Sequence, residues 1–300
     1  MEQHDGTVSS PFATAAAVAV LHLTDSLKPG RLRYIGRVAS RVVGDPVDST
    51  DRVLERLAAV AERATGRAGP HSYPKDEDWE ALLHRQLGAQ WPCPAGAEFD
   101  VLWESILADL VSRGLEVGRG AYGGWDDADS GLARAIWCLA RHARPERVVE
   151  TGVARGLTTR VVLEALERNG SGQLYSIDLP PLTVPERRRE IGAAVPTSRR
   201  DRWHYLEGSS RRRLRPLLRE LEGVDLFIHD SWHSTRNVRW ELGHAWASLR
   251  ERGALVADDI DFNRGFATFA ACNTGAEVLH CPADDGQRLF GIALKPASQR

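Results

Sequence analysis

Three short stretches hold side chains able to do chemistry together. The first runs Arg147-Val148-Val149-Glu150-Thr151-Gly152-Val153-Ala154-Arg155-Gly156-Leu157-Thr158-Thr159, an apolar run that ends in a carboxylate and a small-residue loop. Gly152 and Gly156 allow backbone conformations and approach distances that a side chain would block, so this loop can lie against a ligand. The second is Asp225-Leu226-Phe227-Ile228-His229-Asp230-Ser231-Trp232-His233, and the third is Ala254-Leu255-Val256-Ala257-Asp258-Asp259-Ile260-Asp261. If each apolar run is a strand of one parallel sheet, the three ends share a carboxyl edge, and Asp230, Asp258 and Asp259 converge there. Carboxylates gathered on one rim favour a hard divalent cation such as Mg²⁺, which takes oxygen ligands. Glu150, on its own strand, would repel a pyrophosphate but suits a cationic ligand.

The elements that must position these residues follow from periodicity. Strands are expected at 147–151, 173–178, 203–207, 224–230 and 254–258, with helices at 158–168, 185–192, 214–222 and 235–250 between them. Two further runs, 276–280 and 288–294, are separated by a turn too short for a crossover helix, so they should pair antiparallel. The expected fold is α/β: a Rossmann-like, seven-stranded, mostly parallel sheet closed by a C-terminal antiparallel hairpin. A helix-rich N-terminal region precedes it.

That region, 1–125, is read as distinct from the ligand-binding domain, 126–300. Asp51 is expected to cap a helix with Val53, Leu54, Leu57, Val60 and Ala61 on one face. A second helix uses Trp79, Leu82, Leu83 and Leu87, and a third uses Phe99, Leu102, Ile106 and Leu110. Asp129 or Ser130 begins a fourth, which ends near His142. Three roles fit the N-terminal half: a cap over the active site, a homodimer interface, or an extension of the core. Trp125, Trp232 and His229 fall on or near the rim and suit an acceptor pocket, whereas Trp91, Trp103, Trp137 and Trp246 read as core or interface fillers.

Composition narrows the partners. A net charge of -2 over 300 residues gives no reason to expect a polyanion, and the runs Arg187-Arg188-Arg189 and Arg211-Arg212-Arg213 read as solvated helix faces, so no nucleic-acid partner is expected. The apolar run 12–23 is too short to span a bilayer and lacks a basic leader, so no membrane partner is expected. Cys93, Cys138, Cys272 and Cys281 form no C-x-x-C pair and no zinc-type spacing, which suits incidental thiols in a reduced, cytoplasmic protein.

The spacing Glu150-x-Gly152-x-Ala154-x-Gly156 lacks the third glycine of the dinucleotide fingerprint G-x-G-x-x-G. It resembles motif I of the class I S-adenosylmethionine-dependent methyltransferases, an acid followed by G-x-G-x-G, with Ala154 in the place of the middle glycine. The resemblance covers most of residues 145–294. It implies S-adenosylmethionine held by Glu150, Thr151, Gly152, Ala154, Gly156 and Thr158, with Asp178 on the ribose hydroxyls and Gly208, Ser209 and Ser210 bordering the adenine. The ends of the fourth and fifth strands look like those of the catechol-type and macrolide-sugar O-methyltransferases. That likeness implies Asp230, Asp258 and Asp259 as Mg²⁺ ligands, Asp230 and His233 as the catalytic pair, and His233 as general base. The implied activity is in-line methyl transfer to an oxygen of a small-molecule acceptor. The competing readings are an NAD(P)-dependent oxidoreductase and a methyltransferase-like scaffold without activity.

Overall fold

Apolar runs and amphipathic stretches alternate from Arg147 onward, and the chain folds accordingly. The computed structural model describes residues 46–66, 69–122, 124–180, 185–284 and 286–297; the apolar run 12–23 lies outside them. The elements are α1 (Pro46–Ala64), α2 (Trp79–Gln86), α3 (Gly96–Ser112), α4 (Ser130–Ala143), β1 (Arg147–Thr151), α5 (Leu157–Asn169), β2 (Gln173–Asp178) and α6 (Pro185–Glu190). They continue with β3 (Trp203–Glu207), α7 (Ser210–Leu221), β4 (Val224–His229), α8 (Thr235–Ser248), β5 (Leu249–Ala257), α9 (Gly265–Cys272), β6 (Glu277–Pro282) and β7 (Leu289–Leu294).

The seven strands form one sheet in the order β3-β2-β1-β4-β5-β7-β6. β1 to β5 are mutually parallel, while β7 runs antiparallel between β5 and β6. The first three strands have the expected bounds. β5 begins at Leu249, five residues early, because it picks up pairing with β4 before a register shift between Val224 and Leu226. That early start ends α8 at Ser248 rather than at residue 250.

Two apolar layers hold the sheet. One face packs α4 and α5 through Ile136, Trp137, Leu139, Val161 and Leu166, and the same cluster includes Leu83 of α2 and Phe99, Ile106 and Leu110 of α3. Helices α2 and α3 therefore extend the core of the sheet. The opposite face packs α7, α8 and α9 through Leu214, Leu218, Leu242 and Phe266. Each such fully buried side chain contributes roughly 1.5–3 kcal/mol relative to exposure.

Helix α1 departs from its expected orientation. It begins at Pro46, so Asp51 lies within it rather than capping it, and Val53, Leu54, Leu57 and Val60 are exposed. The surface beneath is polar and selects the charged face. Glu55 pairs with Arg211 at 3.0 Å, and Glu62 accepts from the Thr235 and Arg236 backbone N–H groups at the start of α8. Trp91, expected as a filler, is half-exposed, while Trp137 is fully buried. Among the described residues no helix is long and apolar enough to cross a membrane.

Candidate active site

The loop between β1 and α5 is held at close quarters. Gly152 sits at φ +89°, its N–H donates to the Ile177 carbonyl, and a Cβ there would lie 1.8 Å from the Asp230 carbonyl oxygen. Only glycine permits the ends of β1 and β4 to approach so closely. Gly156, at φ +79°, begins α5 where a side chain would meet Gly192. Ala154 also adopts a left-handed conformation, at φ +47°, the geometry a glycine would take without cost. Thr158, half-buried, occupies the second position of α5.

Glu150 is buried beneath this loop and accepts hydrogen bonds from the Thr159 and Ser176 hydroxyls at 2.8 and 2.6 Å. Burial pushes its carboxyl up to about 7, against the pull of those two hydroxyls. Ser176 in turn accepts from the Trp203 indole N–H at 2.9 Å, so the carboxylate is locked to β2 and β3. Asp178 ends β2 above the loop, accepting from the backbone N–H groups of Leu179 and Val153. Burial raises it to about 6, and Arg52 of α1 opposes the rise.

Tyr122 and Tyr205 flank Asp178. Burial first, then that carboxylate, pushes Tyr122 up to about 12 and raises Tyr205 in the same direction. Sequence reasoning missed both tyrosines, because neither lies in a motif. Gly208 donates its N–H to the Asp178 carbonyl at 2.8 Å, and the buried Ser209 donates its hydroxyl to Asp51 of α1. Ser210 is the first residue of α7. Arg52 donates to the Pro180 carbonyl, so α1 lies along this side of the rim.

Across the rim the structure gathers Asp230, His233 and Asp258, whose ligand atoms all lie within 4.8 Å of one another. His233 Nε2 is 3.9 Å from Asp230 Oδ1 and has no hydrogen-bond partner among the described residues. Asp259, expected beside Asp258, instead takes a left-handed backbone (φ +50°) that turns its carboxylate under the imidazole. It lies 3.5 Å from His233 Nδ1 and 3.7 Å from Arg288. Burial first, then their neighbouring carboxylates, raise Asp230 and Asp258 well above the usual carboxylate range, and burial raises Asp259 to about 7. Burial, with His229 nearby, holds the His233 imidazole down to about 3 and therefore neutral. Phe262 is exposed beside it, Trp232 and Trp125 are exposed as well, and His229, expected in an acceptor pocket, is fully buried.

Glu241 of α8 explains the burial of His229. Its carboxylate accepts from Thr151 and Ser231 hydroxyls at 2.6 and 2.8 Å, from Asn237 at 2.9 Å, and contacts His229 Nδ1 at 2.7 Å. His229 lowers its pKa to about 2 despite complete burial. Thr151, expected to contact the cofactor, donates its hydroxyl to this hub. Glu241 and Arg155 are further features missed in the sequence. Though in the loop, Arg155 is buried and pairs with Glu190 at 2.8 Å and Asp127 at 3.0 Å, and it donates to the Glu116 carbonyl. It ties the loop to the segment that leads into α4.

A parallel sheet with β7 reversed between β5 and β6, and a glycine loop over a buried strand-end acid, are the features that the resemblance to class I methyltransferases implies. Residues 149–260 match the family model described as a methyltransferase domain. The structure is similar to that of an O-methyltransferase from Bacillus cereus in complex with SAH, at 15% identity and a TM-score of 0.47, covering 73% of this chain and 98% of that one. It is also similar to an O-methyltransferase from Streptomyces achromogenes involved in tomaymycin synthesis, in complex with SAM. That match has 14% identity, a TM-score of 0.46, and coverage of 74% of this chain and 97% of that one. No curated protein matches the chain.

Proposed function

We propose that this enzyme transfers the methyl group of S-adenosylmethionine to a hydroxyl oxygen of a small-molecule acceptor bound across the rim, in the cytoplasm. The observation that carries the reading is the His233 imidazole: kept neutral, its Nε2 without a hydrogen-bond partner among the described residues, beside Asp230 and the exposed Phe262 ring. Asp178 and the loop hold the ribose and methionine parts of the cofactor, and Glu150 fixes the loop and faces the cofactor's cationic end. α1 caps the rim on the side of Gly208 and Ser209, so this part of the N-terminal region serves as cover. In-line transfer needs acceptor oxygen, methyl carbon and sulfur aligned, which is the work of a rigid rim. The His233 Nε2 lone pair takes the hydroxyl proton as the oxygen attacks.

The rim also fits a divalent cation: the two crowded carboxylates of Asp230 and Asp258 lie within 4.8 Å, with mutual repulsion that a positive charge would relieve. When bound, such a cation would hold the acceptor oxygen and lower the pKa of its hydroxyl. Asp230 and Asp258 would be its protein ligands, with His233 Nε2 left for the proton. The test is methyl transfer from isotope-labelled S-adenosylmethionine to panels of phenolic, sugar-hydroxyl and amine acceptors. Each is run with EDTA and with Mg²⁺ restored. Turnover on a hydroxyl acceptor that falls at least tenfold in His233→Asn supports the reading. Turnover on amines alone, or a fully active His233→Asn enzyme, overturns it.

A further inference from the structure

A second cluster of ligand-type side chains lies at the opposite, amino edge of the sheet. It comprises His84 at the end of α2, Cys93 in the connection to α3, and Cys138 and His142 one helical turn apart on α4. Cys93 Sγ is 3.7 Å from Cys138 Sγ and 3.4 Å from His142 Nε2, and the ligand atoms of His84, Cys93 and His142 all fall within 4.8 Å. His84 is fully buried. Its Nδ1 donates to the Glu80 carbonyl at 2.7 Å, which leaves Nε2 with a lone pair, and that buried nitrogen has no hydrogen-bond partner among the described residues. Leaving a buried acceptor unsatisfied is costly. An imidazole fixed in this tautomer by a backbone carbonyl is the arrangement found at metal-ligating histidines.

We propose that His84, Cys93, Cys138 and His142 bind a Zn²⁺ ion in tetrahedral geometry, fastening the α2–α3 connection to α4. Tetrahedral Zn–S bonds of about 2.3 Å and Zn–N bonds of about 2.0–2.1 Å place ligand atoms roughly 3.3–3.8 Å apart, close to the two Cys93 distances; Cys138, outside the 4.8 Å group, closes in on the ion from its contact with Cys93. Two thiolates and two imidazoles select zinc over Mg²⁺ or Ca²⁺, which take oxygen. Binding releases the two thiol protons to solvent. A Cys93–Cys138 disulfide is the competing chemistry, but the sulfurs stand well beyond the roughly 2.05 Å of that bond and it would leave His84 Nε2 unsatisfied. The site has four protein ligands and lies away from the rim, so its role is structural. The four residues fall in two pairs, His84/Cys93 and Cys138/His142, separated by 45 residues between Cys93 and Cys138, and neither pair has the C-x-x-C or H-x-x-x-H form of a zinc signature.

The test is metal analysis of the full chain purified under reducing conditions, followed by Co²⁺ substitution of chelator-stripped protein. The expected result is about one zinc per chain, with Co²⁺ giving the intense visible bands of a tetrahedral site and a thiolate charge-transfer band. Cys93→Ser and Cys138→Ser should each abolish the charge-transfer intensity or halve it, while Cys272→Ser leaves it unchanged. Reloading zinc should raise the unfolding temperature by several degrees. Wild-type protein that retains neither Zn²⁺ nor Co²⁺ after desalting, or that carries a Cys93–Cys138 disulfide unaffected by zinc, would overturn the proposal. The wild-type spectrum decides the matter even where a variant fails to fold, and none of these readouts depends on methyl transfer.

Discussion

Glu150→Gln should stabilise the cofactor-free protein while weakening cofactor binding. Among the described residues the buried carboxyl has only the Thr159 and Ser176 hydroxyls to support its charge, and its pKa stands at about 7 against an ordinary 4.5. A folded-state pKa raised above the unfolded one means that stability is highest below about pH 4.5 and falls as pH rises towards 7. The penalty corresponds to roughly 3 kcal/mol at pH 8 and under about 1 kcal/mol at pH 5. A neutral amide removes it, and both hydroxyls can rotate to meet the amide as donor or acceptor. Urea unfolding of wild type and Glu150→Gln without cofactor should therefore show the variant more stable at pH 8 and nearly equal at pH 5. Affinity for S-adenosylhomocysteine should move the other way, falling about ten- to hundredfold, the worth of one charge-assisted hydrogen bond. A stability difference of equal size at both pH values would refute the reasoning about burial. Unchanged affinity would remove Glu150 from the cofactor site.

Gly152→Ala should abolish cofactor binding, since its Cβ would stand 1.8 Å from the Asp230 carbonyl oxygen and the strand ends would have to part; circular dichroism with calorimetry checks this. A folded alanine variant of full affinity would contradict the close approach. Arg155→Ala should cost about 3–5 kcal/mol in urea unfolding, because it strands the buried Asp127 without its guanidinium. A loss under about 1 kcal/mol would show that the pair is replaceable by water.

The sheet was legible because its strands are short apolar runs ended by acids or glycines, and the hairpin because the gap between its two runs cannot hold a helix. Gly152 could be foreseen from its residue type, since the β1–β4 contact tolerates nothing larger. Helix α1 was misread because periodicity identifies an apolar face but not what lies beneath it. Here Arg211 and the amino end of α8 bind the charged face instead. Glu241 and Arg155 escaped notice because a buried charge has no sequence signature. Each is defined by partners brought together from three or more elements. Asp259 looked equivalent to Asp258, but its left-handed backbone sets its carboxylate by His233 Nδ1, outside the group of Asp230, His233 and Asp258.

Isothermal titration of the purified chain with S-adenosylhomocysteine, and separately with NADH, tests the cofactor site most directly. The expected result is stoichiometric binding of S-adenosylhomocysteine, weakened at least tenfold in Asp178→Ala, with no heat from NADH. Binding of NADH alone, or S-adenosylhomocysteine affinity indifferent to Asp178, would contradict it.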